Sequence, residues 1–243
     1  MELEGRVALV TGAGHRVGRA IALALGGRGM RVAVHYNAAA DGAQETVRLL
    51  GDMGAEGRAI PADLTHADAA GELIGKVTQQ FGGLDVLVNS AAVMIRTPFG
   101  EVTPQQWDTI MSLNLRAPFF LAQAAAPFLK KARGAIVNIA DLAAFETWPA
   151  YMPHGISKAG IVDMNRALAR VLAPEVRVGA VAPGTVLLPD NWSEEGAEHL
   201  RATTPLARNG SPKDVTDTVL FILDSDYLTG ETIIVDGGRH VRH

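Results

Sequence analysis

The 243 residues include no cysteine, which excludes a disulfide framework, a thiolate metal site and a cysteine nucleophile, and allows a reducing compartment. Aromatic residues are scarce at 5% and charged residues make up 20%. No apolar run is long enough to span a bilayer: the most apolar stretch, residues 117–129, is short and carries Gln123 and two prolines. The segment Met1-Glu2-Leu3-Glu4-Gly5-Arg6 lacks the basic-then-apolar order of a secretory signal, so a cytoplasmic location is expected. A formal net charge of −4 gives no general pull toward phosphate backbones or anionic lipid, and neither nucleic acid nor membrane is an expected partner. What remains is a composition with 48% hydrophobic residues, that of a soluble globular chain folding as one domain over residues 1–243.

Hydrophobic patterning supplies the architecture. Residues 6–11 are a short, nearly continuous apolar run suited to a strand covered on both faces, ended by glycines, and residues 17–25 carry apolar side chains at helical spacing before Gly26 and Gly27. The alternation continues with strands at 30–35, 57–61, 84–89, 135–140, 176–181 and 232–235. Helices are expected at 44–50, 67–81, 104–129, 153–172 and 212–223. Seven strands alternating with helices predict an α/β, Rossmann-like, doubly wound domain: a seven-stranded parallel sheet with helices on both faces. Residues 184–211 are too long for an ordinary connection and read as a partly helical flap over a site.

Between the first strand and the first helix lie Thr11, Gly12, Ala13, Gly14, His15, Arg16, Val17 and Gly18. Glycines at that junction let a backbone approach a pyrophosphate, and the helix N-terminus offers free N–H groups. An NAD-specific site needs a carboxylate at the end of the second strand to meet the free ribose hydroxyl. Here the residues are His35, Tyr36 and Asn37, with no acid before Asp41, while Arg16 and His15 could meet an extra phosphate. NADP(H) is therefore expected over NAD(H).

These residues, in order along the chain, resemble the short-chain dehydrogenases/reductases. The resemblance spans the chain: Thr11 to Gly18; Asp63 and Leu64 after strand three; Asn89, Ser90, Ala91 and Ala92 after strand four; Asn114; Ile136 to Ile139; Ser157, Lys158 and Ala159; Pro183 and Gly184; Thr229 and Gly230; and Val235 to Gly238. Within that family the chain looks most like the pteridine reductase and dihydromonapterin reductase branch, through Arg16, the His35-Tyr36 pair, and Arg239 and His240 near the end. The resemblance implies NADPH as cofactor, Asp63 at its adenine, the backbone from Asn89 to Ala91 at its ribose, and Lys158 at its nicotinamide ribose.

It also implies a tyrosine four residues before the lysine, and His154 stands there instead. Thirteen residues before His154 is Asp141, where the family has Ser or Asp, and Asn114 matches an asparagine that holds a helix carbonyl and a relay water. Two readings of His154 follow. In one, the imidazole delivers the proton, Asp141 orients it, Lys158 holds the ribose and Asn114 supports a relay. In the other, His154 only fills the tyrosine's place in a scaffold that binds cofactor without turnover. Tyr151 is a reserve donor, or an aromatic packed under the flap.

The expected activity is NADPH-dependent reduction of a carbonyl or C=N carbon in a small molecule, with an NADP(H)-binding regulatory protein as the alternative; a non-redox lyase or isomerase fits less well, because the glycine turn is kept. The substrate is weakly marked: the stretch Val93 to Arg96 lacks the ring that stacks on a pterin, Thr185 stands near but not at the family's threonine position, and Phe145, Trp148 and Trp192 are candidate pocket walls. No metal site is expected, since His240 and His243 lack helical ligand spacing, and Ser157 has no neighbouring base for acyl transfer. A homodimer or homotetramer through helices 104–130 and 153–172 is expected, with Ala122, Ala125 and Ala126 either allowing close helix approach or packing on the sheet.

Overall fold

The protein was analysed as a computed structural model, and the structure describes residues 1–188 and 193–241. The strands are β1 (Val7–Val10), β2 (Arg31–Tyr36), β3 (Gly57–Pro61), β4 (Val86–Asn89), β5 (Ala135–Ile139), β6 (Arg177–Pro183) and β7 (Thr232–Val235). They form one sheet in the order β3-β2-β1-β4-β5-β6-β7, with every pair parallel. Interleaved are α1 (Arg16–Gly26), α2 (Ala40–Asp52), α3 (Ala69–Phe81), α4 (Pro104–Met111), α5 (Ala117–Ala132), α6 (Met152–Leu172), α7 (Glu194–Ala202) and α8 (Pro212–Asp224).

Side chains alternate across the pleat. Val7 and Leu9 of β1 join a core built with α3, α5 and α6, while Ala8 and Val10 join one built with α1, α2 and α8. Both faces of the central strands are therefore buried, which is why these segments read as continuous apolar runs rather than alternating ones. The chain winds outward from β1 to β3, then crosses back to β4. This reversal opens a crevice at the carboxyl ends of β1 and β4, where open parallel sheets take ligands.

Residues 104–129 are not one helix. Five residues, Ser112–Arg116, form a π-helical turn between α4 and α5, in which the Ala117 N–H donates to the Ser112 carbonyl. Pro118 has no N–H to give the Asn114 carbonyl, so an ordinary α ladder cannot run through this point. The widened turn carries the buried Asn114 side chain to the sheet's carboxyl end. Ala122 and Ala125 are fully buried against α3 and the sheet, so the small-residue face is core and the aromatic face points outward. No helix among the described residues is long and apolar enough to cross a membrane.

Candidate functional site

A cleft of about 860 Å³ runs along the carboxyl ends of the strands, large enough for a dinucleotide and a small substrate. One wall is the turn after β1. Gly12 sits at φ +67, and a Cβ on Gly18 would stand 2.2 Å from the Gly12 carbonyl oxygen, so only glycine permits this crossing. The turn is braced from below. Thr11 Oγ1 accepts from the Ser90 and Ala91 N–H groups, tying it to the end of β4. Arg19 Nη2 donates to the Gly14 carbonyl at 2.6 Å. His15 lies at the N-cap of α1, exposed, with its side chain uninvolved in capping.

His35 is part of this brace. The ring is 2% exposed; Nδ1 accepts from the Gly12 N–H at 3.1 Å and Nε2–H donates to the Ala62 carbonyl at 3.1 Å. Both nitrogens are committed to backbone, and burial pulls the imidazole pKa down to about 4. The ring lines the cleft, locked and neutral at physiological pH, and it positions the turn. Tyr36 and Asn37 line the cleft beside it. Arg16 is in the left-handed region at φ 50, and its Nη2 donates to the Leu187 carbonyl at 2.9 Å, bridging the glycine turn to the segment after β6.

The other expected contacts are mostly brought together. Gly14, Val17, Asp63, Leu64, Ser90, Ala91, Pro183 and Gly184 all line the cleft. The Asp63 carboxylate accepts from the Thr65 hydroxyl at 2.7 Å and from the Thr65 N–H, and these bonds lower its pKa. Asn89 is the exception. Its side chain is 3% exposed and turned inward, donating from Nδ2 to Asn138 Oδ1 at 2.9 Å, where Asn138 in turn donates to Asn165. It braces the centre of the sheet and leaves the cleft to Ser90 and Ala91.

At the far end, α6 presents His154 and Lys158 one turn apart. Lys158 is 4% exposed, its Nζ donates to the Ile139 carbonyl at 2.8 Å, and burial brings its pKa down to about 8 against the opposing pull of Asp141. Asp141 follows β5 and caps a short 3-10 turn, with Oδ1 accepting from the Ala143 N–H at 2.8 Å. His154 Nδ1 lies 3.2 Å from the Val93 carbonyl and 3.3 Å from Asn114 Nδ2, so it has an acceptor to meet when protonated and a donor when not. His154 Nε2 faces Asp141 Oδ2 at 3.5 Å and closes no hydrogen bond. Asn114 grips the Val93 backbone both ways, accepting from its N–H at 2.8 Å and donating to its carbonyl at 2.9 Å, and reaches Ser157 Oγ at 3.2 Å. The helix carbonyl expected as its partner is thus replaced by a loop residue.

Val93 and the pair Trp148 and Tyr151 were weakly marked in the sequence. The two rings meet edge to face at 6.4 Å, and both line the cleft. Thr97 pairs with Tyr151 across two loops, and this isolated bridge fixes the wall on which they stand. Thr185 and Arg239 also line the cleft, whereas Phe145 does not. Trp192 and His243 fall outside the described residues.

A family model described as Enoyl-(Acyl carrier protein) reductase matches residues 12–240. The chain belongs to the short-chain dehydrogenase/reductase family. It is 36% identical over 240 residues to the 3-oxoacyl-[acyl-carrier-protein] reductase FabG of Staphylococcus aureus strain Mu50, covering 96% of this chain and 98% of that one. It is 35% identical over 241 residues to the 3-oxoacyl-[acyl-carrier-protein] reductase of a Synechocystis strain, with 97% of each chain covered. A solved structure from Sinorhizobium meliloti, described as that of a short-chain alcohol dehydrogenase, superposes with a TM-score of 0.93 at 35% identity, covering 100% of this chain and 99% of that one.

Proposed function

We propose that this short-chain dehydrogenase/reductase is an NADPH-dependent oxidoreductase that reduces a carbonyl or C=N carbon of a small molecule. The observation that carries this reading is the presence, in one cleft, of a braced glycine turn at one end and the Lys158, Asp141 and His154 cluster at the other. The turn fits a dinucleotide: it admits no Cβ at Gly18, and residues 16–18 at the start of α1 line the cleft. When bound, the reduced nicotinamide supplies the hydride.

The chain's own residues do the rest. Lys158 would hold a ribose hydroxyl of the cofactor, His154 and Asp141 would supply the proton that the reduced product needs, and Asn114 fixes the Val93 carbonyl against the imidazole. Preference for NADPH rests on Arg16 and His15 at the cleft and on a strand end, Tyr36 and Asn37, that lacks a carboxylate. The substrate end is walled by Trp148, Tyr151, Met94 and Leu187, which suits an apolar or flat carbonyl compound. A pterin is the narrower reading, carried by the branch resemblance and by Arg239 at the cleft. The outward rings of α5, Phe119 and Phe120, are the surface through which a second copy docks.

A second reading has its own observation: His154 is 2% exposed, as expected of a residue that only fills a space in an NADP(H)-sensing protein. The experiment is a fluorescence titration with NADPH and NADH, followed by NADPH oxidation against an α-diketone, a 3-oxoacyl thioester and a dihydropterin between about pH 5 and 8. Turnover that is lost in His154→Phe supports the reductase. Tight NADPH binding with no oxidation on any substrate, and activity gained in His154→Tyr, supports the sensor.

A further inference from the structure

We propose that Glu146, which does not itself line the cleft, is the positioning residue that locks the Trp148 indole and Arg239 into one wall, and that this wall receives a planar, conjugated carbonyl compound. The proposal rests on the reductase reading above and narrows the substrate class of the same site.

A tryptophan carries one polar atom, its indole N–H, and a ring whose N–H is held has lost much of its freedom to turn. Trp148 Nε1 donates to Glu146 Oε2 at 3.1 Å, and Arg239 Nε lies 3.9 Å from the same oxygen. The Glu146 and Arg239 side chains are 18% and 16% exposed, so the carboxylate meets these groups largely away from bulk water, where a charge-assisted hydrogen bond is strong. Two segments distant in sequence thus share one oxygen: the loop between β5 and α6, and the end of the chain after β7.

Each segment is held in its own right. The loop starts at Asp141, which caps the 3-10 turn Leu142–Ala144, and the Glu146 N–H donates to the Leu142 carbonyl at 3.0 Å. Toward its far end the Ala150 carbonyl accepts from the Thr97 N–H at 2.7 Å. The chain end is a hook built on the buried Asp236 carboxylate, which accepts from the Gly238 N–H at 2.8 Å and from the His240 N–H at 2.6 Å. Gly237 sits at φ +67, and a Cβ there would stand 2.8 Å from Thr204 Cγ2, so the hook is seated against the turn after α7. Glu146 is the joint between these two frames.

Both Trp148 and Arg239 line the cleft, and the indole stands edge to face with Tyr151, their planes 79° apart. A ring held at a fixed angle rewards a flat ligand that lies against it, whereas a flexible chain gains as much from adaptable side chains such as Met94 and Leu187. The guanidinium of Arg239 is planar as well, so both members of the wall favour conjugated systems.

The test uses the full-length protein and NADPH with two dicarbonyl probes: isatin, which is planar, and an open-chain α-diketone of the same carbon number. The wild type is expected to have the lower KM for isatin. Glu146→Ala is expected to raise that KM about tenfold with kcat within about twofold, and to leave NADPH affinity and the KM for the open-chain diketone unchanged. Glu146→Gln keeps an acceptor for the indole N–H and is expected to recover most of the loss. Trp148→Phe removes the donor, and adding Glu146→Ala to it is expected to raise the KM for isatin by less than Glu146→Ala does alone. Binding is read separately: isatin with NADP+ is expected to quench the wild-type tryptophan emission, Trp148→Phe assigns that signal, and Glu146→Ala weakens the binding by the same factor as the KM. A wild type that prefers the open-chain diketone, equal KM changes for the two probes, or Glu146→Ala that binds isatin as the wild type does overturns the proposal. A wild type that binds isatin through Trp148 and loses it in Glu146→Ala, yet oxidises no NADPH, overturns the reductase reading and leaves the wall standing.

Discussion

Two buried basic side chains set the stability of the site against pH. His35 is neutral in the fold because burial holds its pKa near about 4, whereas an unfolded chain protonates it below about 6.5. Its contribution is therefore complete above about pH 6.5 and fades as the pH falls toward 4. Between about pH 7.5 and 5 this amounts to about 2 kcal/mol. His35→Gln can still accept from Gly12 and donate to Ala62 without titrating, so its urea midpoint is expected to fall less over that interval than that of the wild type; parallel losses would refute the assignment. Lys158 acts with the same sign in a higher pH range. Its pKa of about 8 is below the ordinary lysine value because its charge is buried, so the unfolded chain binds the proton more tightly and stability grows as the pH rises from about 8 to 10.5. Lys158→Met relieves the buried charge and leaves only the Ile139 carbonyl unpaired. It is expected to melt at or above the wild-type temperature while losing about 100-fold or more in turnover; a Tm lowered by several degrees would show instead that the ammonium holds the fold together.

At the scale of elements, the π-helical turn Ser112–Arg116 links helix geometry to the dyad. Asn114→Ala removes both partners of the Val93 backbone and the amide beside His154, at a cost of about 1–3 kcal/mol for the buried groups left unpaired. Its Tm is expected to fall and its kcat to drop with little change in NADPH affinity, because Val93 lies at the chemical end of the cleft. An Asn114→Ala protein with unchanged kcat would sever this link. The turn was not legible in the sequence: apolar periodicity runs unbroken from residue 104 to 129, and the signal that could have marked it is a buried amide four residues before Pro118. The strands were legible because continuous apolar runs between glycine turns have few other uses in a parallel sheet. So were the glycine turn, Asp63, Lys158 and Asp141, whose positions follow from elements of fixed length. What the spacing could not show is where side chains point: His35 and Asn89 stand at the expected strand ends, yet both His35 nitrogens are spent on backbone and Asn89 Nδ2 on Asn138. The depth of His154 was hidden for the same reason, since spacing fixes its height on α6 but not how far its ring is buried.

For the molecule as a whole, the question is what covers the outer face of α4, the π-helical turn and α5. Phe119 and Phe120 are 45% and 41% exposed and meet edge to face at 5.3 Å, beside a shallow groove lined by Met111, Leu115 and Met164. Trp107 and Phe128 are also exposed along these helices. A contiguous aromatic surface of this kind marks an interaction site more often than it faces water, and a second copy meeting it across a twofold axis would bury the same rings on both sides. The wild type is expected to sediment at a multiple of its 25.6 kDa mass, and Phe119→Glu combined with Phe120→Glu to sediment as a monomer, since four added carboxylates per dimer would have to be desolvated at the contact. Because the same five-residue turn carries Asn114 on its inner side and leads into these rings on its outer side, loss of the partner is also expected to loosen the grip on Val93. The monomeric variant should then keep its NADPH affinity and lose part of its kcat. A wild type that sediments as a monomer at about 10 μM would refute the interface, and a monomeric variant with full kcat would show that assembly and the chemical centre are independent.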